Sequence, residues 1–147
     1  MSTVHDVLSA KGNHVYTILE TASVLDAVRS MIDKRVGCLV VTASDNVVHG
    51  LIAERDVLRR IAAAREDLGA VRVSEVMSKK VAVCSAGDEL RTVRSIMKMQ
   101  YLRQLPVVDG HGHLQGIISS GDVNGYLTDA DDLEIKYLHD YIVGRVR

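Results

Sequence analysis

Two eight-residue stretches decide the fold. They are Gly50-Leu51-Ile52-Ala53-Glu54-Arg55-Asp56-Val57 and, 66 residues later, Gly116-Ile117-Ile118-Ser119-Ser120-Gly121-Asp122-Val123. Each passes from a glycine through apolar residues suited to a buried strand, then reaches an aspartate three positions beyond a small residue, where a helix starts. Working outward, 39–57 lies over 105–123 with Leu39/Leu105, Val41/Val107, Gly50/Gly116, Ile52/Ile118, Asp56/Asp122 and Val57/Val123 identical. Further upstream, 21–32 matches 86–97 at an offset of 65, with Leu25/Leu90, Val28/Val93, Arg29/Arg94 and Ser30/Ser95 identical. A one-residue indel near 33–37 is expected to reconcile the two offsets. Ten identities in 31 positions mark two copies of one unit.

Both copies read alike. Val15–Ile18 and Val81–Cys84 are short apolar strands. Residues 24–34 and 89–99 place apolar side chains at helical spacing, with Ser23 and Asp88 as expected N-caps. Strands follow at Cys38–Thr42 and Val47–Ala53, and again at Leu105–Val108 and Leu114–Ser119, each pair joined by a hairpin turn. Helices then begin at Glu54 and Ser120. The order β-α-β-β-α, twice over, defines an α/β chain. Outside the copies, Val4–Ser9 forms a short helix closing on Gly12. Segment 66–79 connects the copies and offers Val73, Val76 and Met77 for packing. Residues 129–142 carry Leu133, Tyr137, Leu138 and Tyr141 on one stripe of a terminal amphipathic helix.

The 147 residues suit about one domain. Five Tyr with no Phe or Trp require an aliphatic core. Eighteen basic against nineteen acidic residues disfavour a nucleic-acid-binding domain. Charge is nevertheless uneven, at +5 over 55–103 and −6 over 109–140, which suits steering of an anion or pairing between subunits. Cys38 and Cys84 stand alone, without CxxC spacing, and read as small buried hydrophobes in a reducing compartment. No apolar run reaches membrane-spanning length and no leader pattern opens the chain, so a soluble, cytoplasmic protein without membrane contact is expected. His111-Gly112-His113 lacks a third ligand in register, so a surface turn is expected there, and no metal.

The repeated Gly-to-Asp motif, the run LRQLPVVDGHGHLQGIIS and the linker VSEVMSKKV resemble the CBS domain family in its paired form, across residues 4–144. The resemblance implies two β-α-β-β-α repeats, at 4–65 and 80–127, packed sheet to sheet with pseudo-two-fold symmetry. A linker at 66–79 and a C-terminal helix at 128–147 complete the organisation. It also implies an adenosyl ligand (AMP, ATP, NAD(H) or S-adenosylmethionine) between the repeats, a homodimer, and a regulatory rather than catalytic role exerted through an effector protein.

On that implication Asp122 receives a ribose diol and Ser119 supplies a hydroxyl to ribose or phosphate. Arg103, Arg55 and Lys79 or Lys80 are phosphate candidates, and the helix N-terminal N–H groups face an anion. Asp56 is the counterpart of Asp122, but Ala53 stands where the family prefers Ser or Thr, so the second site is expected to be the better one. Asp56 and Asp122 also suit plain helix starts, and Arg55, Arg103, Lys79 and Lys80 suit solvated surface positions. With no P-loop, HExxH or paired nucleophile and base, an enzyme is the least favoured class. A degenerate dimer acting as a protein-interaction scaffold is the chief alternative.

Overall fold

Continuous apolar runs make one hairpin strand in each half a fully covered element. The computed structural model describes residues 1–131, with side chains through Leu127. In the first half the order is α1 (Val4–Lys11), β1 (Thr17–Leu19), α2 (Val24–Lys34), β2 (Cys38–Thr42), β3 (Val48–Ala53) and α3 (Glu54–Ala63). The second comprises α4 (Val73–Val76), α5 (Leu90–Met99), β4 (Gln104–Val108), β5 (Leu114–Ser119) and α6 (Ser120–Asp131). Strand β2 buries Leu39, Val40 and Val41 completely, as expected of a strand covered on both faces, and β4 repeats this with Leu105 and Val107. Each such side chain contributes about 1.5–3 kcal/mol through burial. β2 pairs antiparallel with β3, and β4 with β5, each with a bulge at the equivalent point, Val41/Thr42 and Val107/Val108. The expected C-terminal helix falls mostly outside the described residues, and α6 runs on past 128 without a break.

A pseudo-two-fold axis relates the halves. Val48 N–H donates to Gly112 O (3.1 Å) and Leu114 N–H to Asn46 O (3.0 Å), two bonds that interchange when 66 is added or subtracted. The Val47–His113 bridge and the Cys38–Gln104 contact join positions that are also 66 apart, so they lie across the axis. Even the left-handed residues correspond, Arg35 (φ 56°) with Tyr101 (φ 55°) and Asn46 (φ 66°) with Gly112 (φ 83°).

That constancy corrects the alignment of the first helices. Buried Val24, Ala27 and Met31 of α2 match buried Leu90, Val93 and Met97 of α5 at 66, so the 65-residue offset and its indel are wrong. The identities at 65 included Arg29/Arg94, exposed residues that do not set the phase. One residue is ~100° of helix, so packing of the inner face fixes the register. Asp88 is likewise no N-cap. Glu89 holds that position, and the Asp88 carboxylate instead accepts Ser85 N–H at 2.8 Å. Ser23 does cap α2, accepting Asp26 N–H at 3.0 Å.

The strand expected at Val81–Cys84 shrinks to one parallel bridge between Cys84 and Val107. Proline is the cause. In the first half Val40 N–H donates to Tyr16 O at 3.2 Å and supports the parallel β1–β2 pairing. Pro106 occupies the position of Val40 and has no N–H to give.

The two entry helices are exchanged. Val4, Val7 and Leu8 of α1 are buried among Leu90, Val93, Met97 and Ile118 of the second half. Val71 and Val73 of the connector are buried in the first half with Val24, Leu39 and Ile52, and Val76 and Met77 pack against them. The anchoring is the same at both places. Val4 N–H bonds to Asp88 O (2.9 Å) as Val73 N–H bonds to Ala22 O (2.8 Å), and His5 to Ala86 O (2.8 Å) as Ser74 to Glu20 O (3.0 Å). Thus α1, at the sequence start, completes the core of residues 80–127.

Candidate functional site

Between the halves lies a cleft of about 200 Å³. One wall is built from Lys11, His14, Val15, Tyr16, Val36, Cys38 and Val40, the other from Gln104, Ile117, Ile118 and Ser119. Typical small-molecule sites span roughly 300–1,000 Å³, so a nucleotide here would keep part of its surface in solvent. The aliphatic strand ends give a flat group apolar cover, and the polar groups cluster where β5 passes into α6.

That junction is tied down locally. Asp122 Oδ2 accepts Ser119 N–H (2.8 Å), while Ser119 Oγ accepts Asp122 N–H (3.0 Å), a reciprocal cap of α6. Ser120 N–H donates to Arg103 O at 2.9 Å. These bonds occupy the N–H groups of Ser119, Ser120 and Asp122, which overturns the expectation that they face an anion. The hydroxyl proton of Ser119 is still free to be donated.

Lys11 completes the cluster. At the last turn of α1, its Nζ donates to Asp122 Oδ2 at 2.6 Å and to Ile117 O at 3.0 Å. Burial pushes the Asp122 pKa upward, but the Lys11 ammonium and the Ser119 bonds outweigh it and hold the carboxyl below its ordinary value. The contacts from Lys11 and Ser119 both fall on Oδ2, so Oδ1 is the oxygen left to meet a diol.

The first-half junction is plainer. Asp56 Oδ2 accepts Ala53 N–H at 2.8 Å, and Glu54 N–H donates to Gly37 O at 3.0 Å, matching Ser120 and Arg103. Ala53 has no oxygen to return to Asp56 N–H. Arg55 and Arg103 are exposed, as are Lys79 and Lys80. The structure therefore brings Ser119 and Asp122 together at the cleft and puts Arg103 beside them through its backbone. Asp56 and Arg55 share the other junction, and Lys79 follows Ser78, which bridges to Leu51.

Sequence reasoning missed Lys11, His14, Tyr16 and Gln104, and it read Cys38 as buried. Cys38 is half-buried in the cleft wall and donates to Gln104 Oε1 at 3.1 Å. Burial, then the Asp56 carboxylate, push its thiol pKa up, which keeps it protonated and a poor nucleophile. Cys84 is buried, as read, and burial followed by Asp88 pushes its thiol up to about 12. A signal for Lys11 existed. VHDVLSAK (4–11) parallels VSEVMSKK (73–80) at an offset of 69, with Lys11 over Lys80.

Among the described residues no group of three or more His, Cys, Asp or Glu is placed to hold a metal ion, and no helix is long and apolar enough to cross a membrane. The family model described as CBS domain matches residues 3–63 and 73–129. A putative signal-transduction protein with CBS domains from Burkholderia ambifaria is similar in structure, with a TM-score of 0.77 and 33% identity over 89% of this chain and 96% of that one. A homoserine O-acetyltransferase from Methanocorpusculum labreanum is 30% identical over 80% of this chain, which spans 23% of the enzyme's length. Two CBS structures share the fold at a TM-score of 0.74 and covering 88% and 89% of this chain. They are CBSX2 in complex with AMP, at 22% identity over 98% of its chain, and MJ0100 with 5′-methylthioadenosine and S-adenosyl-L-methionine, at 19% over 99%.

Proposed function

The chain belongs to the CBS domain family, and we propose that it is a regulatory module that binds an adenine nucleotide in the cleft between its repeats. The observation that carries this reading is the Ser119–Asp122–Lys11 cluster, where a carboxylate oxygen, a hydroxyl and an ammonium converge beside apolar strand ends. Asp122 Oδ1 and the Ser119 hydroxyl take the ribose, and the purine lies against the half-buried Val15 and Ile117. Arg103 reaches the phosphate; Arg55 and Lys79 do so at the weaker first-half site beside Asp56. AMP and NAD(H) lead, with ATP and S-adenosylmethionine as further candidates, and the CBS pairs solved with AMP and with S-adenosyl-L-methionine support this class. The ligand reports energy or redox state in the cytoplasm. It favours one arrangement of the halves, and an effector protein reads the difference; the chain performs no catalysis itself.

The working unit is a homodimer. A second copy seats on the α2–α3 face, a groove of about 560 Å³ lined by Val28, Ile32, Leu58 and Ile61. Ile32 and Leu58 are 73% and 63% exposed there, two large apolar side chains in one groove that a second copy would cover. Arg35 and Glu54 flank the same groove without an ion pair among the described residues, and opposite charges on one face let a two-fold interface complement itself. Ala53 and this face also favour the second reading, a scaffold that binds a protein partner without a nucleotide switch.

Thermal unfolding with AMP, ADP, ATP, NAD⁺, NADH and S-adenosylmethionine tests the choice. A ligand at ~100 times its dissociation constant adds about 2.7 kcal/mol, which raises the midpoint by several degrees in a chain of this size. The nucleotide reading expects that rise in the wild type and in Asp56→Ala, and its loss in Asp122→Ala. No rise with any ligand leaves the scaffold.

A further inference from the structure

The two junctions share a backbone but not a charge. In the first half Leu51 O is satisfied by Ser78 N–H at 2.9 Å, and Asp56 Oδ2 takes Ala53 N–H with no cation paired to it among the described residues. In the second half an ammonium does both jobs, since Lys11 Nζ bonds to Ile117 O, the counterpart of Leu51 O, and to Asp122. Lys11 is also held firmly. Val7 and Leu8 anchor its helix in the second core, and Gly12 N–H closes the last turn on Leu8 O at 2.8 Å.

We propose that Lys11 makes the second-half site select phosphorylated adenosyl ligands over neutral or sulfonium-bearing ones. The proposal rests on the cleft being an adenosyl site. A bare carboxylate beside the ribose would draw a sulfonium cation and repel a phosphate. With Lys11 at 2.6 Å, the charge of Asp122 is cancelled, so that preference disappears. Two of the three ammonium N–H bonds are committed to Ile117 O and Asp122, which leaves one for a phosphate oxygen. The Lys11 side chain is 34% exposed and lines the cleft together with His14, a further donor for an anion. Partial enclosure keeps salt from screening the contact fully.

Isothermal titration of AMP, adenosine and S-adenosylmethionine into the wild type, Lys11→Met and Lys11→Arg tests this. The wild type is expected to bind AMP about tenfold more tightly than adenosine, a typical margin for one charge-assisted hydrogen bond. Lys11→Met should lose most of that margin through AMP alone while its relative affinity for S-adenosylmethionine rises, and Lys11→Arg should restore the margin. Equal weakening of AMP and adenosine in Lys11→Met would show that Lys11 only props the cleft, and an unchanged AMP-to-adenosine ratio would equally overturn the proposal. A wild type that binds none of the three, and neither ATP nor NADH, refutes the adenosyl reading itself, and with it this selection.

Discussion

The outer grooves of the two halves have nearly the same size and opposite chemistry. About 560 Å³ lies between α2 and α3, and about 570 Å³ between α5 and α6. At the 66-residue offset, Val28, Ile32 and Leu58 of the first become Arg94, Lys98 and Asn124 of the second. The inner face of the same helices stays apolar in both, as Val24, Ala27 and Met31 against Leu90, Val93 and Met97. Core packing thus fixes the backbone twice over, while the outer stripe is free to specialise. In the proposed homodimer, repeat 1 against repeat 1 would bury like with like in this groove, whereas repeat 1 against repeat 2 would set Ile32 against Lys98.

The largest difference between the halves should appear at their matched glycines. A Cβ at Gly50 would lie 2.6 Å from Ser78 O and 3.0 Å from Met77 Sδ, whereas one at Gly116 would meet only the Leu8 side chain, at 2.9 and 3.1 Å. A backbone oxygen cannot step aside as a leucine tip can. Gly50→Ala is expected to cost about 3 kcal/mol and Gly116→Ala about 1 kcal/mol in urea unfolding. Equal costs would mean that the Ser78–Leu51 bridge yields as readily as Leu8 does.

Next in size is the exchange of outer faces. Val28→Arg with Ile32→Lys, which copies the second half onto the first, should weaken self-association by at least about tenfold in sedimentation velocity. Glu at positions 94 and 98 should leave it unchanged. A dimer indifferent to the first pair would place the interface elsewhere. The smallest contrast lies at the caps, where Ser119→Ala should cost about 1 kcal/mol and Ala53→Ser should gain up to about 1 kcal/mol by giving Asp56 N–H an oxygen. If neither moves the thermal midpoint, the Ser119 hydroxyl matters for a ligand and not for the helix.

The repeat and its hairpins were legible because burial on both faces writes continuous Val, Leu and Ile runs, and because Asp56 and Asp122 mark the same helix start. Two features were not legible for opposite reasons. Identities such as Arg29/Arg94 favour an offset of 65, although only the buried stripe reports the phase. Pro106 was visible in the sequence, yet its cost depends on whether Tyr16 O and its counterpart are the acceptors, which is a matter of pairing. At the candidate site, the sequence marked Ser119 and Asp122 at a helix start, but their reciprocal bonds appear only in the structure. Lys11 had only the signal of the 4–11/73–80 parallel, which aligns it with Lys80 and says nothing of Asp122, 111 residues away.

The exchange of entry helices also dictates an order of assembly. Val4, Val7 and Leu8 precede their core partners Ile118, Val123 and Leu127 by more than a hundred residues along the chain. The first half closes when residues 71–77 arrive, whereas α1 waits until Leu127 is in place. Until then this short apolar helix stays uncovered, so its docking follows the formation of the second-half core.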